Sequence, residues 1–176
     1  MGWEPVIRFP TAWTSVLGNF GVHLFEGYVS LEEMDRMQAL AERWLMQRQD
    51  KLVELVVIHP SDARMSHEER SRMARLIKLG ESRRNASATV ILAEGLMASV
   101  QRSILTGLTM LVPPPHPTKV FGQIEPAVTW LHPYLEATVA SGGGATPKLT
   151  ELRSAIAQHL TEFAKRPDRP TIFRAD

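Results

Sequence analysis

The sequence predicts an α/β fold with a mostly parallel sheet covered by helices, and three observations carry that prediction. Residues 52–58, Leu-Val-Glu-Leu-Val-Val-Ile, form an apolar run that stops at His59-Pro60-Ser61-Asp62 and gives way to a helical pattern opening at Ser66. The same change recurs at Thr89-Val90-Ile91-Leu92-Ala93 into residues 96–111. It recurs again, more weakly, at Lys119-Val120-Phe121 into residues 125–135. Strands alternating with helices at this spacing build a parallel sheet with helices on its faces.

Each element has a local reason. Residues 6–13 carry Pro5 and Pro10 near their ends, which suits an edge strand. Gly18-Asn19 makes a turn, and residues 20–29 follow as a second strand with Val22, Leu24 and Tyr28 on one face. Ser30-Leu31-Glu32-Glu33 is a capping box, in which serine hydroxyl and glutamate carboxylate satisfy free amides of a first helical turn. Met34, Met37, Leu40, Ala41, Trp44 and Leu45 then recur at helical spacing, to about Gln49. The strand 52–58 is apolar nearly throughout, as expected where both sheet faces are covered.

A second capping box, Ser66-His67-Glu68-Glu69, opens the next helix, whose buried side is expected at Met73, Leu76, Ile77 and Gly80. The helix 96–111 shows a wide apolar stripe (Met97, Val100, Ile104, Leu105, Leu108, Met110, Leu111), which implies burial on more than one side. The proline run 113–117 ends it. The last core helix begins near Pro126 and holds Ala127, Val128, Trp130, Leu131 and Leu135. Ser141-Gly142-Gly143-Gly144-Ala145 reads as a flexible linker. Beyond it, Leu149, Leu152, Ile156, Leu160 and Phe163 form one face of an amphipathic helix over 148–165. The expected organisation is an α/β domain over 1–140, a linker over 141–147, a C-terminal helix over 148–166 and a tail over 167–176.

Composition sets the outer bounds. The chain has 176 residues, 44% hydrophobic and 22% charged, enough for one domain with a real core. Its net charge of +1 gives no global attraction to nucleic acid or membrane. Zero cysteines exclude disulfides, thiolate metal sites and a cysteine nucleophile, and fit a reducing cytoplasm. The start of the chain lacks a basic region leading into an apolar stretch, and no uninterrupted apolar run reaches the roughly 18 residues of a spanning helix. The expectation is a cytoplasmic protein without membrane insertion.

The order strand, strand, helix, strand, helix, strand, helix, strand, helix resembles the STAS domain, the fold of anti-sigma-factor antagonists and of sulfate-transporter tails. The resemblance spans about residues 6–135. It lies in residues 52–58 followed by a loop and a helix N-terminus, and in Val120-Phe121 followed by Ala127-Val128-Thr129-Trp130-Leu131. The resemblance implies a STAS-like β-β-α-β-α-β-α-β-α domain with an added C-terminal helix. It also implies a bacterial, non-enzymatic regulatory module that works through a protein partner. In antagonists the loop after that strand carries a phosphorylatable serine in an Asp-Ser-Ser-Gly-like setting. That pattern is absent here. Ser66, which opens the helix, is the positional match, and Ser61 is the fallback.

The residues themselves support a capping role for Ser66 at least as strongly, since the box is complete. His59, Ser61 and Asp62 are adjacent, and neighbours in sequence do not by that fact make a triad. No Gly-x-Ser-x-Gly elbow, phosphate-binding glycine loop or dinucleotide fingerprint follows any strand. The six histidines show no metal spacing, so no metal or cofactor is expected.

Between Arg64 and Arg84 lie seven Arg or Lys against three Glu (Glu68, Glu69 and Glu81). This is first a solvated helix face, second an anionic partner surface, and only third a nucleic-acid contact, which is not expected. The residues expected to bind a partner are Asp62, Arg64, Arg70 and Arg75, with Met97 and Leu105 from the wide apolar helix. The C-terminal helix can pack on its own domain or form a homodimer. Two other functional classes stay open. One is a small-molecule or lipid binder using the loops 60–65 and 94–95 at the strand ends. The other is an enzyme using His59 and Glu94 as acid/base groups.

Overall fold

The computed structural model describes residues 2–59, 66–92, 114–142 and 146–168. Six strands form one sheet: β1 Glu4–Arg8, β2 Ala12–Leu17, β3 Phe20–Glu26, β4 Leu52–His59, β5 Arg84–Ile91 and β6 Thr118–Phe121. The helices are α1 Leu31–Gln47, α2 His67–Lys78, α3 Ile124–Gly142 and α4 Leu149–Ala164. Strands neighbour one another in sequence order, β1 to β6. The first two pairings are antiparallel and the remaining three parallel.

The N-terminal region departs from the expected two strands. Residues 6–13 divide at Pro10-Thr11, where Phe9 and Ala12 exchange backbone hydrogen bonds and the chain reverses. Proline has no N–H to continue a ladder there. The second turn does fall at Gly18-Asn19, with Gly18 at φ 60°. That strand ends at Glu26 because Gly27 turns away at φ 78°, leaving Tyr28 outside the sheet and 44% exposed.

Side chains alternate across the sheet and create two cores. Phe20, Val22 and Leu24 of β3, with Val53, Leu55 and Val57 of β4, pack against α3 and α4. Phe25 faces the opposite side with Ile7, Phe9 and Ala12, beneath Met34 and Met37 of α1 and Met73 and Leu76 of α2. The expected strand 89–93 is a longer one starting at Arg84. Its inward residues, Ala86 and Ala88, are small and alternate with polar Ser87 and Thr89, a texture that does not read as a buried strand. They suit a close approach of α3, whose Ala127 is also fully buried.

Both capping boxes are present. Glu33 N–H donates to Ser30 Oγ at 3.2 Å while Ser30 N–H donates to Glu33 Oε2 at 3.0 Å. Helix α3 runs past the expected 135 to Gly142 because Thr138 and Val139 are buried. Thr138 Oγ1 donates to Tyr134 O and accepts from Asn85 of β5. Helix α4 lays its predicted stripe onto the same core, with Leu152, Ile156 and Phe163 buried. The wide apolar helix expected at 96–111 lies outside the described residues.

Candidate functional site

Ser66 stands at the N-terminus of α2 and acts as its cap. Its Oγ accepts from Glu69 N–H at 3.2 Å, and its own N–H donates to Glu69 Oε2 at 2.6 Å. The hydroxyl of Tyr28 donates to the other oxygen of Glu69, so one carboxylate ties the β3–α1 connection to the start of α2. The tyrosine hydrogen bond, with help from the Ser66 backbone and hydroxyl, holds Glu69 below the usual carboxylate range against a small burial effect. The same bond, then burial and the neighbouring negative charge, raises Tyr28.

From this capped end, α2 presents two unlike faces. Glu69, Met73 and Leu76 point inward, and Arg72 pairs with Asp35 of α1 and, at 3.9 Å, with Glu68. His67, Arg70, Ser71, Ala74, Arg75, Ile77 and Lys78 are all exposed. Ile77 was expected inside but is 58% exposed. The inward stripe follows Glu69, Arg72, Met73 and Leu76, which puts Ile77 on its shoulder beside Arg70 and Ala74 at helical spacing. The outer face therefore mixes three cations and the exposed Glu68, on the side of Arg75, with one exposed β-branched apolar side chain. Arg70 and Arg75, both singled out from the sequence, lie there. Ser61, Asp62, Arg64, Met97, Leu105 and Glu94 fall outside the described residues.

A second group of polar side chains fixes this helix from below. Thr14 Oγ1 lies 3.1 Å from His23 Nδ1, and His23 Nε2 lies 3.7 Å from Glu54 Oε1. Arg84 Nε donates to Glu54 Oε2, while its Nη1 and Nη2 donate to the carbonyls of Ile77 and Leu79 at the end of α2. One guanidinium thus joins the sheet interior to the helix C-terminus, where free carbonyls favour a cation. Burial pushes the Glu54 carboxyl up, but the hydrogen bond and charge of His23, together with Arg84, outweigh it and hold the group down to about 2. His116 lies near this group. Burial first and then Arg84 lower its pKa, opposed by Glu54 and Glu81, and its Nδ1 is buried without a partner.

Sequence reasoning missed this cluster. The signal was Glu54, a lone carboxylate inside an otherwise apolar strand. A charge in such a place requires a partner.

At the carboxyl end of β3, where open α/β sheets commonly bind ligands, the chain places its own C-terminal segment. Arg166 Nη2 and Glu26 Oε2 are 2.7 Å apart, with both side chains about 1% exposed. Arg166 also donates to Pro10 O and Phe163 O, and stacks 3.7 Å above the Phe163 ring. His59, at the end of β4 beside Glu26, approaches the Phe163 ring at 6.5 Å. Among the described residues no group of three acidic or histidine side chains could hold a metal ion. No described helix is long and apolar enough to cross a membrane.

A solved structure shares the overall architecture. An uncharacterized protein of the DUF3478 family with a SpoIIAA-like fold, from Shewanella loihica, superposes with a TM-score of 0.51 at 17% identity. The match covers 74% of this chain and 94% of that one. The fold is STAS-like. No family model matches the chain, and no curated protein matches it either. At that identity the likeness extends to the architecture alone. The capped, basic α2 is the crossover helix between the parallel strands β4 and β5.

Proposed function

We propose that this STAS-like chain is a non-enzymatic regulatory module that acts by binding a protein partner, with the outer face of α2 as the docking surface. The single observation that carries this reading is the asymmetry of α2. Its buried face is held by Glu69, Arg72 and the Arg84 clamp, while Arg70, Arg75, Lys78 and Ile77 are left to solvent. Arginine is enriched at protein interfaces, and Ile77 adds exposed apolar area beside Arg70 on a rigid helix. Arg70, Arg75 and Lys78 outnumber Glu68, the one exposed acid of α2, and that balance favours an acidic partner face. The filling of the β3 end by Glu26 and Arg166 favours surface contact over a ligand crevice there.

Ser66 offers the means of regulation. Its hydroxyl is at the exposed helix start, and a phosphate on it would add about −1.5 to −2 charges beside the Glu69 carboxylate. Repulsion would open the capping box and free Tyr28, changing the surface next to the basic face.

Affinity purification with two baits tests the docking proposal: the wild type and an Arg70→Glu, Arg75→Glu, Lys78→Glu variant, matched by circular dichroism and melting temperature. A protein recovered with the first bait and depleted at least tenfold from the second supports it. Equal recovery with both, or none with either, overturns it.

A further inference from the structure

We propose that His159 is a proton-operated latch: its neutral ring helps hold α4 on the sheet, and acidification makes α4 open more often over Trp3 and Trp13. The geometry is unusual for a histidine. The residue is 1% exposed, and neither Nδ1 nor Nε2 has a hydrogen-bond partner. Its ring stacks on Trp3 at 4.6 Å and 22° and leans on Trp13 at 5.9 Å, so it serves as an apolar plate between two indoles. Burying polar nitrogens without partners costs free energy even when the ring is neutral, and far more when it is charged.

The groups around the ring do little to help a charged form. Glu162, on α4 itself, is the one anion that acts on it appreciably, and Arg8 of β1 opposes protonation. Arg8 sits 4.9 Å over Trp13, placing a cation against the same aromatic group. Two further ionisable groups near this end of α4 are occupied elsewhere, Arg166, just past the helix, with Glu26, and His59 of β4 against Phe163. Burial dominates and holds His159 below its ordinary 6.5.

The sign follows directly. Because the folded group binds its proton less tightly than the free one, docking of α4 is complete above pH 6.5 and weakens as pH falls below it. A single proton can raise the opening equilibrium by at most about tenfold per pH unit. The remaining polar ties of α4 to the N-terminal strands are the Trp3 indole N–H on Ala155 O, 3.2 Å, and the Arg166 contacts at Glu26 and Pro10. Near its start α4 is also tied to α3, where Arg153 pairs with Glu125 at 3.0 Å and donates to Thr129 Oγ1 at 2.8 Å, so the latch lies between two polar anchors.

Hydrogen exchange of the full chain at pH 7.5 and 5.5, corrected for intrinsic rates, tests the latch. Amides of α4 are expected to open several-fold more often at pH 5.5 while those of β4 stay protected. His159→Phe, which keeps an aromatic plate without a titrating group, should abolish the difference. Equal α4 protection at both pH values, the same pH response in His159→Phe, or joint loss of α4 and β4 protection would each overturn it. Should that variant not fold, NMR titration of the wild-type His159 ring decides. Titration below 6.5 with concerted α4 shifts supports the latch, and titration at or above 6.5 refutes it.

Discussion

Arg84 meets Glu54 inside the sheet and closes the end of α2 with the same guanidinium. A carboxylate in the middle of a buried strand is tolerated because this arginine is shared between the sheet and the helix. The pair positions the surface proposed to bind a partner without being part of it.

Removing one half of this pair should be costly. Arg84→Ala leaves Glu54 buried without its nearest cation and two α2 carbonyls uncapped, and about 3–5 kcal/mol of stability is expected to be lost. Urea unfolding measures it. The double variant Arg84→Met, Glu54→Leu should lose much less, since no charge is then stranded.

Acid should act on Glu54 in a defined window. Its folded pKa, about 2, is below the ordinary 4.5, so its contribution is complete above pH 4.5 and disappears as pH falls toward 2. The contribution is on the order of 3 kcal/mol. Stability measured from pH 5 to 2 should therefore fall more steeply in the wild type than in Glu54→Gln.

The two helix caps should weigh alike. Ser30→Ala and Ser66→Ala are each expected to cost about 1 kcal/mol, read by thermal or chemical unfolding. Ser66→Asp should keep the α2 cap, because aspartate is itself a good N-cap residue. It therefore mimics phosphate poorly in this position.

Gly80 should resist substitution. It turns the chain out of α2 at φ 76°, and a Cβ there would sit 3.2 Å from Leu45 Cδ1 at the end of α1. Gly80→Ala is expected to lose about 1–2 kcal/mol through left-handed strain, with further loss if Leu45 cannot move.

What the sequence disclosed and what it concealed divide along physical lines. Ser30/Glu33 and Ser66/Glu69 were legible because a capping box is local: four residues contain all its partners. The strand at 52–58 was legible because burial on both faces demands apolar residues on both. Strand β5 was half hidden, since Ala86 and Ala88 are chosen by the close approach of α3, a contact made about 40 residues later, and Ser87 between them breaks the apolar run. The division of 6–13 into two strands depended on tertiary pairing around Pro10. Ile77 looked buried because the stripe was centred one position too far around the helix. Of the site, Ser66, Arg70 and Arg75 could be named from helical spacing. The partners of Glu54 could not, because His23 and Arg84 lie 31 positions before it and 30 after it, and only sheet register brings them together.

Site-specific photo-crosslinking shows whether the outer face of α2 meets a protein. A photoreactive residue at Ala74, in the middle of the exposed face of α2, is compared in the native host with one at Ala157, exposed on α4 across the sheet. A discrete protein adduct is expected from position 74, absent from 157 and lost when Arg70 and Arg75 are reversed to glutamate. No adduct at 74, or the same adduct from both positions, would contradict the docking proposal.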